Sequence, residues 1–139
     1  MSRMPLHLFV HPEDLAIVRL GADEEPQWEW RQGPLQSFTR TSSETSVIGL
    51  AADVPGGLRE EGPFRALEVA GPLDFAMVGV LASILNPLAA AGLTVLTLST
   101  FDTDWVLIRT EEIDVATDVL RKAGLVVTPT TVWVAGGSA

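Results

Sequence analysis

The chain has 139 residues, 47% of them hydrophobic, with nine Lys and Arg against eighteen Asp and Glu, a formal charge of −9 with the two His neutral. The length allows one compact domain or two half-size modules sharing a core. The acidic balance argues against nucleic acid, where Lys and Arg must neutralise phosphates, and against an anionic membrane surface; the absence of Cys excludes a disulfide framework, a thiolate metal site and a thiol nucleophile.

The first residues, Met1-Ser2-Arg3-Met4-Pro5, are followed by no long apolar run, so no signal peptide is visible and a cytoplasmic location is expected. Leu6 to Val10 and Leu15 to Leu20 read as strands, with His11-Pro12-Glu13-Asp14 turning between them. Ala22 to Pro26 is an acidic loop. Leu35 to Thr41 and Thr45 to Ala51 are strand-like around Ser42-Ser43-Glu44, and Pro55 to Pro63 is a Gly-rich, charged connector taken as the module boundary. No stretch of this half has the length and period of a helix.

The second half reads more clearly. Phe64 to Val69 is a short strand, broken by Gly71-Pro72-Leu73, and Asp74 stands where an N-cap belongs. A helix is predicted from Phe75 to about Ala91, because Val78, Leu81, Ala82, Leu85 and Leu88 recur at helical spacing; Val80 and Ile84 make it apolar on more than one face. Pro87 frees the carbonyl of Ser83 and predicts a kink, and Gly92 ends the helix. The uncharged run from Phe75 to Phe101 is long enough to span a bilayer. Its period changes beyond Gly92 to Leu-Thr-Val-Leu-Thr-Leu-Ser-Thr, so it reads instead as a buried helix followed by a strand.

Leu93 to Thr100 and Trp105 to Arg109 are strands separated by Phe101-Asp102-Thr103-Asp104, a connection short enough to impose an antiparallel hairpin. Thr110 is predicted to cap a second helix with Glu111 and Glu112 in its first turn, Arg121 and Lys122 in its last, and Gly124 as its stop. Leu125 to Val134 is a final strand in which Pro129 marks an edge or bulge. Residues 61–135 therefore read as β-α-β-β-α-β, an α+β ferredoxin-like arrangement, and 136–139 as a disordered tail.

Catalytic chemistry finds little support. No nucleophile elbow or Ser/His/acid set is present, so no enzyme is expected and no cofactor is implied. His7 and His11 would share a metal on a helix, but on a strand and its turn they lie roughly 13 Å apart, and they read as polar edge residues. Asp102-Thr103-Asp104 has three readings: support of a hairpin turn, recognition of an amine or cation by Asp104, or a divalent cation site. Trp28, Trp30, Trp105 and Trp133 have two readings, the lining of a binding surface or, more commonly for this residue type, partly buried packing.

The segments Gly71-Pro72-Leu73-Asp74-Phe75, Gly79-Val80-Leu81-Ala82-Ser83-Ile84, Pro87-Leu88-Ala89 and Leu98-Ser99-Thr100-Phe101-Asp102-Thr103-Asp104-Trp105-Val106-Leu107-Ile108 together resemble the ACT-domain branch that includes the animal cytosolic arginine sensors. Phe38-Thr39-Arg40-Thr41 with Glu44-Thr45-Ser46-Val47-Ile48 is similar to that branch's first-module segment. The resemblance implies two tandem ACT-like modules: a degenerate one at residues 1–60 and an ACT domain at 61–135. It further implies a regulatory protein that binds a free amino acid where modules pair, a homodimer with two equivalent sites, and a regulated protein as a further partner. One wall of the site would be Thr94 and Val95. The facing wall, from the partner chain, would be Asp74, Met77 and Val78 with Thr100, Phe101 and Asp104. The sensors have Gly where Asp74 stands and Glu where Met77 stands, so a smaller or more apolar amino acid than arginine is equally compatible. The rival reading is a module whose cavity is filled by Met77 and Phe101 and which works by contacting another protein.

Overall fold

The computed structural model describes residues 6–70 and 79–135. The chain divides into two compact units. One, the helical unit, joins Met1–Pro12 to Arg65–Thr130; the other, the sheet-and-loop unit, joins Glu13–Phe64 to Thr131–Ala139. Neither unit is a continuous stretch of chain.

The helical unit is built on β1 (His7–Val10), the second half of β5 (Arg59–Val69), β6 (Val95–Ser99), β7 (Asp104–Arg109) and β8 (Val126–Pro129). Their order across the sheet is β6-β7-β5-β1-β8. β1 is antiparallel to β5, with Leu8 opposite Val69, and parallel to β8, with Leu8 beside Val127. Two helices, α1 (Val80–Ala90) and α2 (Ile113–Lys122), supply the cover. Ile84 and Leu88 of α1, and Ile113, Ala116 and Leu120 of α2, are buried in one cluster with Leu8, Val10, Leu67, Val69, Val106, Ile108 and Val127. The i, i+3, i+4 spacing of the sequence thus becomes the inner face of each helix.

The β-α-β-β-α-β order predicted from the sequence is the order observed, and β1 is added to it as a fifth strand. The edge role expected of His7 is therefore corrected: β1 lies between β5 and β8, and His7 Nε2 is hydrogen-bonded across to Thr128 Oγ1 at 2.8 Å. α1 begins after Gly79, which stands at its cap position with a left-handed φ of 85°; Phe75 and Asp74, the predicted start and cap, lie outside the described residues. It continues through Pro87, and Gly92, at φ 76°, closes it with Gly92 N–H to Ala89 O and Leu93 N–H to Leu88 O. Thr110 opens a 3-10 turn, Thr110–Glu112, so the cap position of α2 falls at Glu112. Arg121 Nη2 at the helix end donates to Val127 O at 2.8 Å. β8 ends at Pro129 on the edge of the sheet, where a residue without an N–H is tolerated, and Thr130 N–H still donates to Val10 O at 2.9 Å.

The sheet-and-loop unit contains β2 (Leu15–Leu20), β3 (Ser37–Arg40), β4 (Thr45–Leu50) and the first half of β5, in the order β3-β4-β2-β5, each pair antiparallel. β5 starts at Arg59 rather than Phe64, because exposed polar residues, read from composition as connector, pair through their backbone with β2. Among the described residues of this unit the only helical turn is Ala51–Asp53. Val18, Leu20 and Val47 form a small buried cluster that Trp28, Trp30, Val54 and Leu58 cover from loops.

Candidate functional site

The predicted site residues that lie within the described part of the chain fall on or beside one hairpin, β6 and β7. Its register pairs Val95 with Ile108 at one end and Ser99 with Asp104 at the other. Thr100, Phe101, Asp102 and Thr103 close the turn. Thr100 N–H donates to Thr103 O at 2.8 Å, Thr103 N–H donates to Thr100 Oγ1 at 3.1 Å, and the two threonine hydroxyls lie 2.7 Å apart. Ser99 Oγ donates a short hydrogen bond to Asp104 Oδ1 across the last strand pair.

The turn is anchored from below. Trp105, 7% exposed, donates from Nε1 to Thr103 Oγ1 at 2.9 Å, and its ring stacks on His11 with centroids 5.4 Å apart. His11 Nε2 lies 2.8 Å from Glu68 Oε1, and Arg65 Nε donates to His11 O at 2.6 Å. A chain of contacts therefore leads from the end of β1 through an indole to the hydroxyls of the turn. Thr103, Trp105 and His11 were not among the predicted site residues. The signal for Trp105 is the unbroken apolar run Trp105 to Ile108, buried throughout as a strand covered on both faces is.

Of the predicted residues, Thr100 and Asp104 are brought together in this turn. Phe101 stands at its tip, 81% exposed. Thr94 and Val95 lie at the opposite end of β6, and Val95, four residues from Ser99, is about 13 Å along the strand from it. Thr94 is exposed and Val95 half-buried against the core. A single hairpin thus holds the two groups apart. Asp74, Met77 and Val78 lie outside the described residues, as does the tail 136–139.

The arrangement offers hydroxyls and a carboxylate at an exposed hairpin end, suited to hydrogen-bond an ammonium or a polar zwitterion. Among the described residues no group of three His, Asp or Glu is placed to hold a metal, and no helix is long and apolar enough to cross a membrane.

Residues 59–122 match the family model described as the ACT domain. Among solved structures, a protein of Agrobacterium tumefaciens is 28% identical with a TM-score of 0.84, over 93% of this chain and 96% of that one. A Vibrio cholerae protein of unknown function, described as a possible transport protein, is 14% identical with a TM-score of 0.69, over 86% and 90%. The ligand-free regulatory subunit of aspartate kinase from Thermus thermophilus is 12% identical with a TM-score of 0.57, over 84% and 96%. The last two likenesses are of fold. No curated protein matches the chain.

Proposed function

We propose, from the match of residues 59–122 to the ACT-domain model, that this chain is a regulatory protein that binds a free amino acid. ACT domains are as a family regulatory modules for amino acids, and aspartate kinase regulatory subunits are among the folds it resembles. The observation that carries the reading is the prearranged turn of Ser99 to Asp104, whose hydroxyls and carboxylate are held by one another and by Trp105.

In this reading Asp104 and Thr100 receive the ligand's positive end. Thr94 and Val95 come from a second copy, because one hairpin holds them too far from the turn. Asp74, Met77 and Val78 complete the wall beside the turn. The assembly is a homodimer burying more than about 1,000 Å² in total. The sheet-and-loop unit is a degenerate ACT-like module, its strand order kept and its helices replaced by loops. The protein is cytoplasmic and regulates another protein.

Thermal-shift screening against the twenty amino acids identifies the ligand, since a molecule that binds the folded state alone raises the melting temperature. With that ligand, Asp104→Asn keeps the shape and removes the charge, and calorimetry should show binding weakened about tenfold or more. Equal affinity in wild type and variant would leave Asp104 a turn residue only. The exposed Phe101 favours a second reading, a module that presents this tip to another protein. That reading predicts no thermal shift with any amino acid.

A further inference from the structure

The sheet-and-loop unit covers one face of its strands with Trp28, Trp30, Val54 and Leu58. On β2, Ile17 and Arg19 alternate with the buried Val18 and Leu20 and so point to the other face. A groove of about 430 Å³ lies there, lined by Ile17, Arg19, Glu44, Ser46, Arg59, Glu60 and Glu61. That volume falls within the range of small-molecule sites.

Arg19 and Arg59 stand directly opposite one another on antiparallel β2 and β5, and Ser46 stands opposite Arg19 on β4. Like charges in directly opposed positions oppose pairing, since their Cβ atoms lie only about 5 Å apart. Neither guanidinium forms a salt bridge among the described residues; Arg19 Nη2 donates to Ser43 O at 3.2 Å. Two planar forks side by side suit one carboxylate, which can accept from both. The acidic residues of the groove set the other half of the specificity. Glu44 uses Oε1 to accept from Ser46 Oγ at 2.8 Å, and Glu61, opposite Ile17, lies in phase with Arg59 on the same face. A simple anion entering here meets the carboxylates, and a simple cation meets the guanidiniums. A molecule carrying both charges meets both complements.

We propose that this open face binds a small zwitterion, its carboxylate across Arg19 and Arg59 and its ammonium on Glu44. The site is independent of the Ser99–Asp104 turn.

The test uses the full chain, labelled with nitrogen-15, and four probes: glycine and 4-aminobutyrate as zwitterions, acetate and ethylammonium as their separate halves. Saturable amide shifts at Arg19, Ser46 and Arg59 are expected with at least one zwitterion, with acetate and ethylammonium weaker by about tenfold or more. Arg59→Gln, and independently Arg19→Gln, should each weaken that binding about fivefold or more while leaving the remaining spectrum in place. The proposal is overturned if neither zwitterion gives saturable shifts there, if acetate binds as well as the zwitterions, or if both variants keep wild-type affinity. Signals of residues 99–104 report the turn separately. Shifts confined to them would overturn this inference and leave the turn reading standing.

Discussion

The helical unit and the sheet-and-loop unit follow the same strand plan and finish it differently. Each places its own strands in the spatial order second, third, first, fourth; the helical unit inserts β1 before its fourth. In the helical unit α1 and α2 bury five side chains into a single large cluster. In the other, a small cluster is covered by two indoles and two aliphatic side chains from loops. The comparison teaches that the strand order is carried by pairing and turns, while the helices supply apolar cover. A loop can take over that task where it carries residues as large as Trp.

The difference predicts unequal sensitivity to truncation. Leu88 in α1 is fully buried, and Leu88→Ala should cost about 2–5 kcal/mol of unfolding free energy, measured by denaturant titration. Val47 anchors the smaller cluster, and Val47→Ala should cost less; a larger loss there than at Leu88 would break the comparison.

Gly49 tests the loop cover itself. A Cβ added at Gly49 would meet Trp30 O at 2.7 Å, a contact with backbone that cannot swing away. Gly49→Ala should therefore cost about 1–3 kcal/mol and change the near-ultraviolet signal of the tryptophans. A neutral result would mean the loop is not seated on β4 as described.

Gly92 tests the helix stop in the helical unit. At φ 76° an alanine is strained, and Gly92→Ala should cost about 1 kcal/mol, read as a lower denaturation midpoint with unchanged slope. The smallest effect is expected at Asp118, whose carboxylate lies 2.9 Å from Lys122 Nζ on the exposed side of α2. Asp118→Ala should change stability by no more than about 0.5 kcal/mol, and the change should vanish in high salt.

The same comparison explains what the sequence made legible. Ile113, Ala116 and Leu120 repeat at helical spacing and end at Gly124, so α2 was readable, with its start displaced by the turn at Thr110. The hairpin was readable because so few residues separate Leu98 from Trp105. Two features escaped. β1 joins the helical unit by pairing with β5 and β8, strands distant in sequence, and no local pattern encodes that choice. The first half of β5 is Arg-Glu-Glu-Gly-Pro, which lacks the apolar alternation by which strands are recognised and pairs through its backbone alone. That Thr100 and Asp104 share one turn was legible from their spacing. The role of His11 was not, because it depends on the return of β1 beside β5.

Trp105 is a built-in reporter of the turn, since its indole N–H donates to Thr103 Oγ1. Nitrogen-15 labelling of the indoles gives one signal for each of Trp28, Trp30, Trp105 and Trp133. Titration with whichever free amino acid raises the melting temperature should shift the Trp105 indole signal saturably, at the concentration that gives half the thermal effect. A thermal shift with the Trp105 signal unmoved would contradict binding at the turn.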